Sequence, residues 1–225
     1  DGQFDISRSG DLVFAPGANA AVGTLVSARP NAQPVALPVE PASFQRFDLS
    51  KDRRWLAAVV QAKGNQELRI YDLRDGQSFV WLRAWLIRHP LWSPDGTKLL
   101  VYLRDSSGAA IVTGNPRSNT RIDTVLANKI AGSVPDIYEY VDERTVLGLH
   151  FASATMTSLD PTARPARPVE LFRGSRFATI APGATLIAFQ DPDGRVKVTS
   201  YPPGGDVIQI ASGVEPLWLS SSELL

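Results

Sequence analysis

The 225-residue chain contains no cysteine. That excludes disulfides, thiolate metal sites and cysteine nucleophiles. It leaves the compartment open, since a reducing cytosol and a disulfide-free periplasm both accept such a chain. Histidine occurs only twice, at His89 and His150, so a Ser-His-Asp site would have to be assembled from distant segments. Charge of one sign is also missing: 23 lysines and arginines balance 23 aspartates and glutamates. No whole-chain field therefore draws in nucleic acid or an anionic membrane. No apolar run approaches the roughly 20 residues that a membrane-spanning helix needs. The nucleophile elbow, the Walker loop, the dinucleotide fingerprint and the H-E-x-x-H pair are all absent. So is the series of alternating oxygen ligands with a closing acid that a calcium loop requires. The expectation is a chain with no catalytic residues, no metal and no cofactor. No signal peptide opens the sequence, which begins directly on a repeat and so leaves room for an upstream leader or domain.

What is present is 44% hydrophobic residues, enough to build the core of one sizeable domain, and a short repeated phrase. The phrase is clearest at Leu91-Trp92-Ser93-Pro94-Asp95-Gly96-Thr97-Lys98-Leu99-Leu100-Val101. Weaker copies run from Phe4 to Phe14 and from Phe47 to Ala57, and degraded ones from Tyr138 to Leu147, Thr179 to Phe189 and Leu217 to Leu225. Aligned on Ser93, the anchors are Ser7, Ser50, Ser93, Val141, Ala181 and Leu219, at steps of 43, 43, 48, 40 and 38 residues. A period of about 40–50 residues built from short strands marks a β-propeller.

Each copy starts with period-2 alternation, the mark of a strand with one apolar face. Apolar residues stand one and three places before the anchor, as in Ile6 and Phe4, Leu49 and Phe47, and Tyr140 and Tyr138. A turn follows, in which Pro presets φ, Asp bonds nearby amides and Gly accepts positive φ. A mainly apolar strand comes next (Trp55 to Val60, Leu99 to Leu103, Thr145 to Leu149, Leu186 to Phe189), of the kind that is covered on both faces. Polar turns then separate a third and a fourth strand, giving the four-stranded antiparallel blade. Between Phe79 and Arg88 the apolar spacing is ambiguous, and strand is the reading adopted. Pro161 to Pro168 reads as an extended loop between the third and fourth strands of its blade.

The predicted fold is thus all-β, a β-propeller of four-stranded antiparallel blades, six-bladed when complete. The blades fall at about 1–42, 43–86, 87–130, 131–173 and 174–212, with a partial sixth at 213–225. Too few strands are present for six full blades, so a single propeller domain over 1–225, cut from a longer chain, is expected.

If the residues one and three places before the anchor face the blade interfaces, those two and four places before it face the other way, toward a central channel. That assigns Asp5, Arg46, Asp48, His89, Glu139 and Glu215 to the channel lining. Such groups would suit a cation, a basic side chain or a small polar ligand. Ser7, Ser50 and Ser93 read as turn hydrogen bonders rather than nucleophiles. Trp55, Trp92 and Trp218 read as core between blades, whereas Trp81 and Trp85 offer a partner patch on an outer strand.

Trp92-Ser93-Pro94-Asp95-Gly96, followed by a basic residue and an apolar run, resembles the repeat of TolB-like propellers. Ala181-Pro182-Gly183, Leu186-Ile187-Ala188-Phe189, Gly194-Arg195-Val196-Lys197-Val198, Tyr201-Pro202-Pro203-Gly204-Gly205 and Glu215-Pro216-Leu217-Trp218 resemble the last blades of such propellers. The likeness is to those that lie C-terminal to bacterial serine/threonine protein kinases and regulators. Phe4-Asp5-Ile6-Ser7 resembles their first blade. Val141-Asp142-Glu143-Arg144, Ala181-Pro182-Gly183 and Leu219-Ser220-Ser221 depart from the full turn.

The resemblance implies a non-enzymatic, extracytoplasmic module that binds a protein or small polar ligand at its rim or channel mouth, with no nucleic acid and no membrane span. Two other contexts are compatible: the gating propeller of a prolyl-oligopeptidase-like serine hydrolase with its catalytic domain elsewhere, and a stand-alone periplasmic assembly protein.

Overall fold

A computed structural model describes residues 3–6, 12–15, 22–28, 33–118, 121–130, 133–213, 216, 218 and 220–224, with backbone alone at 3–6 and 12–15. Its described strands form five four-stranded sheets, each taking consecutive strands in chain order with antiparallel neighbours. The first holds β1 (Gln3–Ile6), β2 (Leu12–Ala15), β3 (Val26–Ala28) and β4 (Val35–Ala36). The second holds β5 (Phe44–Leu49), β6 (Trp55–Gln61), β7 (Gln66–Asp72) and β8 (Ser78–Ala84). The third holds β9 (Leu86–Trp92), β10 (Leu99–Asp105), β11 (Gly108–Gly114) and β12 (Asp123–Asn128). The fourth holds β13 (Asp136–Asp142), β14 (Thr145–His150), β15 (Thr155–Leu159) and β16 (Val169–Arg173). The fifth holds β17 (Phe177–Ile180), β18 (Leu186–Gln190), β19 (Arg195–Ser200) and β20 (Ile208–Ser212). This is the all-β, four-stranded antiparallel blade plan that the repeat predicts. The ambiguous stretch after Phe79 is strand on both sides of Trp85, and Pro161 to Pro168 lies in the connection between β15 and β16.

The chain divides into two compact units, Asp1–Lys129 and Ile130–Leu225. In the first unit β6 shows why its sequence is apolar at almost every position. Leu56, Ala58 and Val60 pack with Leu25 and Val39 from the preceding segment. The alternate residues Ala57 and Val59 pack with Ile87, Trp92, Leu99 and Val101 of the third sheet. One strand thus feeds two cores, as period-2 side-chain alternation allows when both faces are covered. In the second unit, Leu147, Leu149 and Met156 of the fourth sheet pack against Ile180 and Ile187 of the fifth. The rings of Phe172 and Phe189 lie 4.5 Å apart in the same unit. Residues beyond β20 hold on to the fifth sheet: Gln190 Nε2 donates to the Gly213 carbonyl at 2.5 Å and Trp218 Nε1 to the Thr179 carbonyl at 3.1 Å.

In the second, third and fifth sheets the turn after the innermost strand keeps its geometry while its sequence decays. In the full copy, Gly96 N–H donates to the Ser93 carbonyl at 2.7 Å, and Gly96 sits at φ +69°. At the equivalent places Arg53 N–H donates to the Ser50 carbonyl and Ala184 N–H to the Ala181 carbonyl, at 2.8 and 2.9 Å. Arg53 and Ala184 are held at φ 58° and 54°, where an L-residue carries a cost of about 1–2 kcal/mol that glycine escapes. Ala184→Gly is therefore expected to stabilise the chain by about 0.5–1 kcal/mol despite the added freedom of the unfolded state, read as a raised urea midpoint at unchanged slope.

Candidate functional site

Residues directly opposite in an antiparallel pair share a face. Asp48 lies opposite Ala57, which belongs to the core shared with the third sheet. Its Oδ2 accepts the Trp92 N–H at 2.6 Å. Glu139 lies opposite Leu147, in the core shared with the fifth sheet. Its Oε2 accepts the Ile180 N–H and the Thr179 hydroxyl, each at 3.2 Å. Two candidate lining carboxylates thus lean on the following sheet. Strict alternation places them away from the interfaces, but both faces of the innermost strand look at neighbouring sheets. That holds for the second sheet, which is packed on both sides within its unit; what its innermost strand β5 leaves open is an edge, because it pairs only with β6.

Arg46 lies opposite Val59, on the same side as Asp48, and is exposed. The innermost strand of the third sheet bulges where its register shifts between Leu100 and Tyr102. There His89 adopts φ +42°, a region rarely visited outside glycine and asparagine, and is half-buried. Burial first, then the nearby guanidinium charges of Arg46 and Arg88, push its pKa down to about 3. Arg46, Asp48 and His89 thus gather in the first unit, joined by Arg88, which sequence reasoning missed. Pro90 is the signal that could have found the irregularity, since a proline inside a strand marks an edge or a bulge.

Glu139 lies in the other unit. A bulge at Tyr138 puts it on the face opposite that of Ile137, which is fully buried. Asp5 is placed in β1 opposite Val13, with its side chain outside the described residues, as is Glu215.

Of the repeated serines, Ser50 and Ser93 are spent on turns, and Ser7 lies outside the described residues. Ser93 Oγ donates to Asp95 Oδ1 at 2.6 Å and accepts the Lys98 N–H at 3.0 Å. Ser50 Oγ donates to Asp52 Oδ1 at 2.5 Å and accepts the Trp55 N–H at 2.9 Å. Trp92 is core, and Trp55 and Trp81 pack against that core, whereas Trp85 is 63% exposed. Among the described residues no group of three or more histidines, acids or cysteines is placed to hold a metal ion, and no helix is long and apolar enough to cross a membrane.

No protein-family profile matches the sequence, and no curated protein matches it. Solved structures do. The chain is similar to a putative TolB from Agrobacterium tumefaciens, at 14% identity and a TM-score of 0.74, over 96% of this chain and 85% of that one. It is similar to TolB from Acinetobacter baumannii at 17% identity and a TM-score of 0.70, over 92% of this chain but only 55% of that one. A puromycin-hydrolyzing peptidase from Mycobacterium tuberculosis matches at 12% identity and a TM-score of 0.66, over 99% of this chain and 40% of its own. The fold is that of a TolB-like β-propeller.

Two measurements test the site's physics. Asp48→Ala removes the acceptor of a backbone amide and is expected to cost about 1–3 kcal/mol, whereas Asp48→Asn keeps a carbonyl oxygen and should cost less than half of that in the same urea titration. His89 binds its proton more weakly folded than unfolded, where the pKa is near 6.5. The stability it contributes at neutral pH is therefore lost as pH falls from about 6.5 toward 3. His89→Asn tolerates the positive φ and does not titrate, so its urea midpoint should fall less than the parent's between about pH 7 and pH 4.5.

Proposed function

We propose that this propeller module is a non-catalytic recognition unit of a larger, extracytoplasmic bacterial protein, and that Arg46, Arg88 and His89 receive an acidic group of its ligand or protein partner. The observation that carries the reading is the convergence of two guanidinium groups on one strained histidine at the innermost strands of adjacent sheets. Strained backbone collects at ligand-binding positions, and perturbed titration at a cluster of charges points the same way. The neighbouring carboxylate of Asp48 accepts a backbone amide, and the two guanidinium groups supply positive charge of the sign an acidic group needs. Ser50 and Ser93 are occupied by turn bonds, which speaks against nucleophilic chemistry at those copies of the repeat.

The likeness to peptidase chains, which cover this chain almost whole and extend well beyond it, favours a second reading: a propeller that gates access to a hydrolase domain. The intact mass and terminal sequences of the natural product separate the two. A G-x-S-x-G elbow on a separate domain favours the gate, and a kinase, regulator or membrane anchor favours the recognition unit.

The site itself is tested by NMR of the two histidine rings with poly-glutamate and inorganic phosphate as probes. The His89 resonance is expected to shift, and its titration to move up toward the ordinary range, on addition of at least one probe. Arg46→Ala combined with Arg88→Ala should abolish both effects. A His89 signal indifferent to both probes at about 10 mM, a concentration that would reveal even millimolar affinity, would remove the cluster from the binding site.

A further inference from the structure

A second site, independent of the histidine cluster, lies at the strand ends of the second and third sheets. There an open cleft of about 380 Å³ is lined by Asn65, Arg83, Ala84, Trp85, Asp105 and Ser106. Three connections within one unit meet at it: the turn between β6 and β7, the link from β8 to β9 and the turn between β10 and β11. Trp85 turns 63% of its surface to solvent. Its indole presents a flat apolar face and a polar N–H edge to a partner.

The groups around the indole are held by others. The Arg104 guanidinium stands 5.7 Å from its ring centre. Arg83 Nε donates to Glu67 Oε1 at 2.9 Å. Glu67 is only 8% exposed and also takes two bonds from Arg69, at 2.9 and 2.8 Å. Asp105 Oδ1 accepts the Ser107 N–H and hydroxyl at 2.7 and 2.5 Å. In the facing turn the Asn65 carbonyl accepts the Ala62 N–H at 2.9 Å and Gln61 Nε2 at 3.2 Å, so the backbone fixes the turn and the exposed side-chain amide is left for a ligand.

We propose that this cleft binds an acidic saccharide, one hexuronate ring resting on Trp85. A pyranose presents an apolar C–H face that matches the indole, while its ring of hydroxyls needs donors and acceptors at close spacing. Asn65, Ser106 and Asp105 offer both kinds. The sugar carboxylate is matched by Arg104 and Arg83, whose guanidinium groups suit planar two-point recognition. The lining side chains hold one carboxylate, and Arg104 adds a second guanidinium beside Trp85, which favours a uronate over a neutral sugar. An extended peptide fits less well. Strand addition uses a row of unpaired backbone groups along a sheet edge, and this cleft is walled by turns at strand ends. A cleft so open implies weak capture per ring, with a Kd of about 0.1–10 mM.

Calorimetric and fluorescence titration of the whole chain tests this with three probes: a glucuronate-containing trisaccharide, a neutral glucose trisaccharide and poly-glutamate. The acidic trisaccharide should bind, with a change in tryptophan emission, and more tightly than the neutral one. Trp85→Ala, at an exposed position, should leave the far-ultraviolet spectrum unchanged and weaken binding at least tenfold. Arg104→Gln should remove the preference for the acidic over the neutral sugar. Either of two results overturns the proposal: no saccharide binding up to about 10 mM, or equal binding by the Trp85→Ala variant and the parent. Binding of poly-glutamate that depends on Trp85, without saccharide binding, would reassign the cleft to an acidic peptide. The Arg46–Arg88–His89 proposal can fail while this one stands, since the variants differ and the saccharides are used only here.

Discussion

The innermost strand of each sheet has a partner on one side only, and the backbone groups along its other edge must find partners or carry the cost of burial without them. Asp48 and Glu139 meet that constraint in the same way. Each stands two places before its repeat anchor, leans onto the following sheet and accepts the amide one place before the next anchor. A charged acceptor is worth more than a neutral one there, and it adds a directional tie to the apolar contacts between sheets, as Gln66 Oε1 also does by accepting the Ile87 N–H at 2.6 Å.

The apolar faces supply most of the stabilisation but little specificity. Leu56, Leu68, Ile70, Leu99 and Val101 are fully buried, and burying each such side chain contributes about 1.5–3 kcal/mol. Cores of that composition tolerate exchange if volume is kept. Directional bonds at the edge and strained turns at fixed places then decide how neighbouring sheets meet. Function falls to the parts that the frame leaves over, namely the irregular edge at His89 and the turns around Trp85. Both are displayed by strands packed into one shared core, which suits sites where the scaffold prepays orientation.

Much of the frame was legible in the sequence because its causes are local. The turn at Ser93-Pro94-Asp95-Gly96 and the runs at Trp55 to Val60 and Leu99 to Leu103 announce their roles without reference to the rest of the chain. The facing of the candidate lining was harder to read, for two reasons. A strand between two sheets has no free face, so alternation sorts its residues between neighbours. Bulges then shift the parity. Those at Tyr138 and near Phe44 carry no proline or glycine to betray them, while the one at His89 is flagged only by Pro90. Arg88 entered the site because a bulge turned the strand, which spacing alone cannot reveal. The gathering of Trp85 with Arg83, Arg104 and Asn65 depends on three connections meeting at one end of two sheets.

The decayed repeats explain why likeness survives in the fold and not in the sequence. Ala181-Pro182-Gly183-Ala184 has lost the serine and the aspartate of the full turn, yet it closes the same carbonyl-to-amide bond with a residue in the left-handed region. Ser50-Lys51-Asp52-Arg53 keeps the serine and aspartate but forces arginine where glycine belongs. These two copies and the full one each retain enough of the set to make the turn, and a different part of it. Selection of this kind acts on a geometry that several residue combinations satisfy, each about a kilocalorie from the best, so pairwise identity drains away while strand order and turn placement persist. Asp48 with the Trp92 amide and Glu139 with the Ile180 amide meet a narrower requirement, an acceptor placed for a donor about forty positions away. In a chain of this fold they are the better place to look for descent than the turn motif itself.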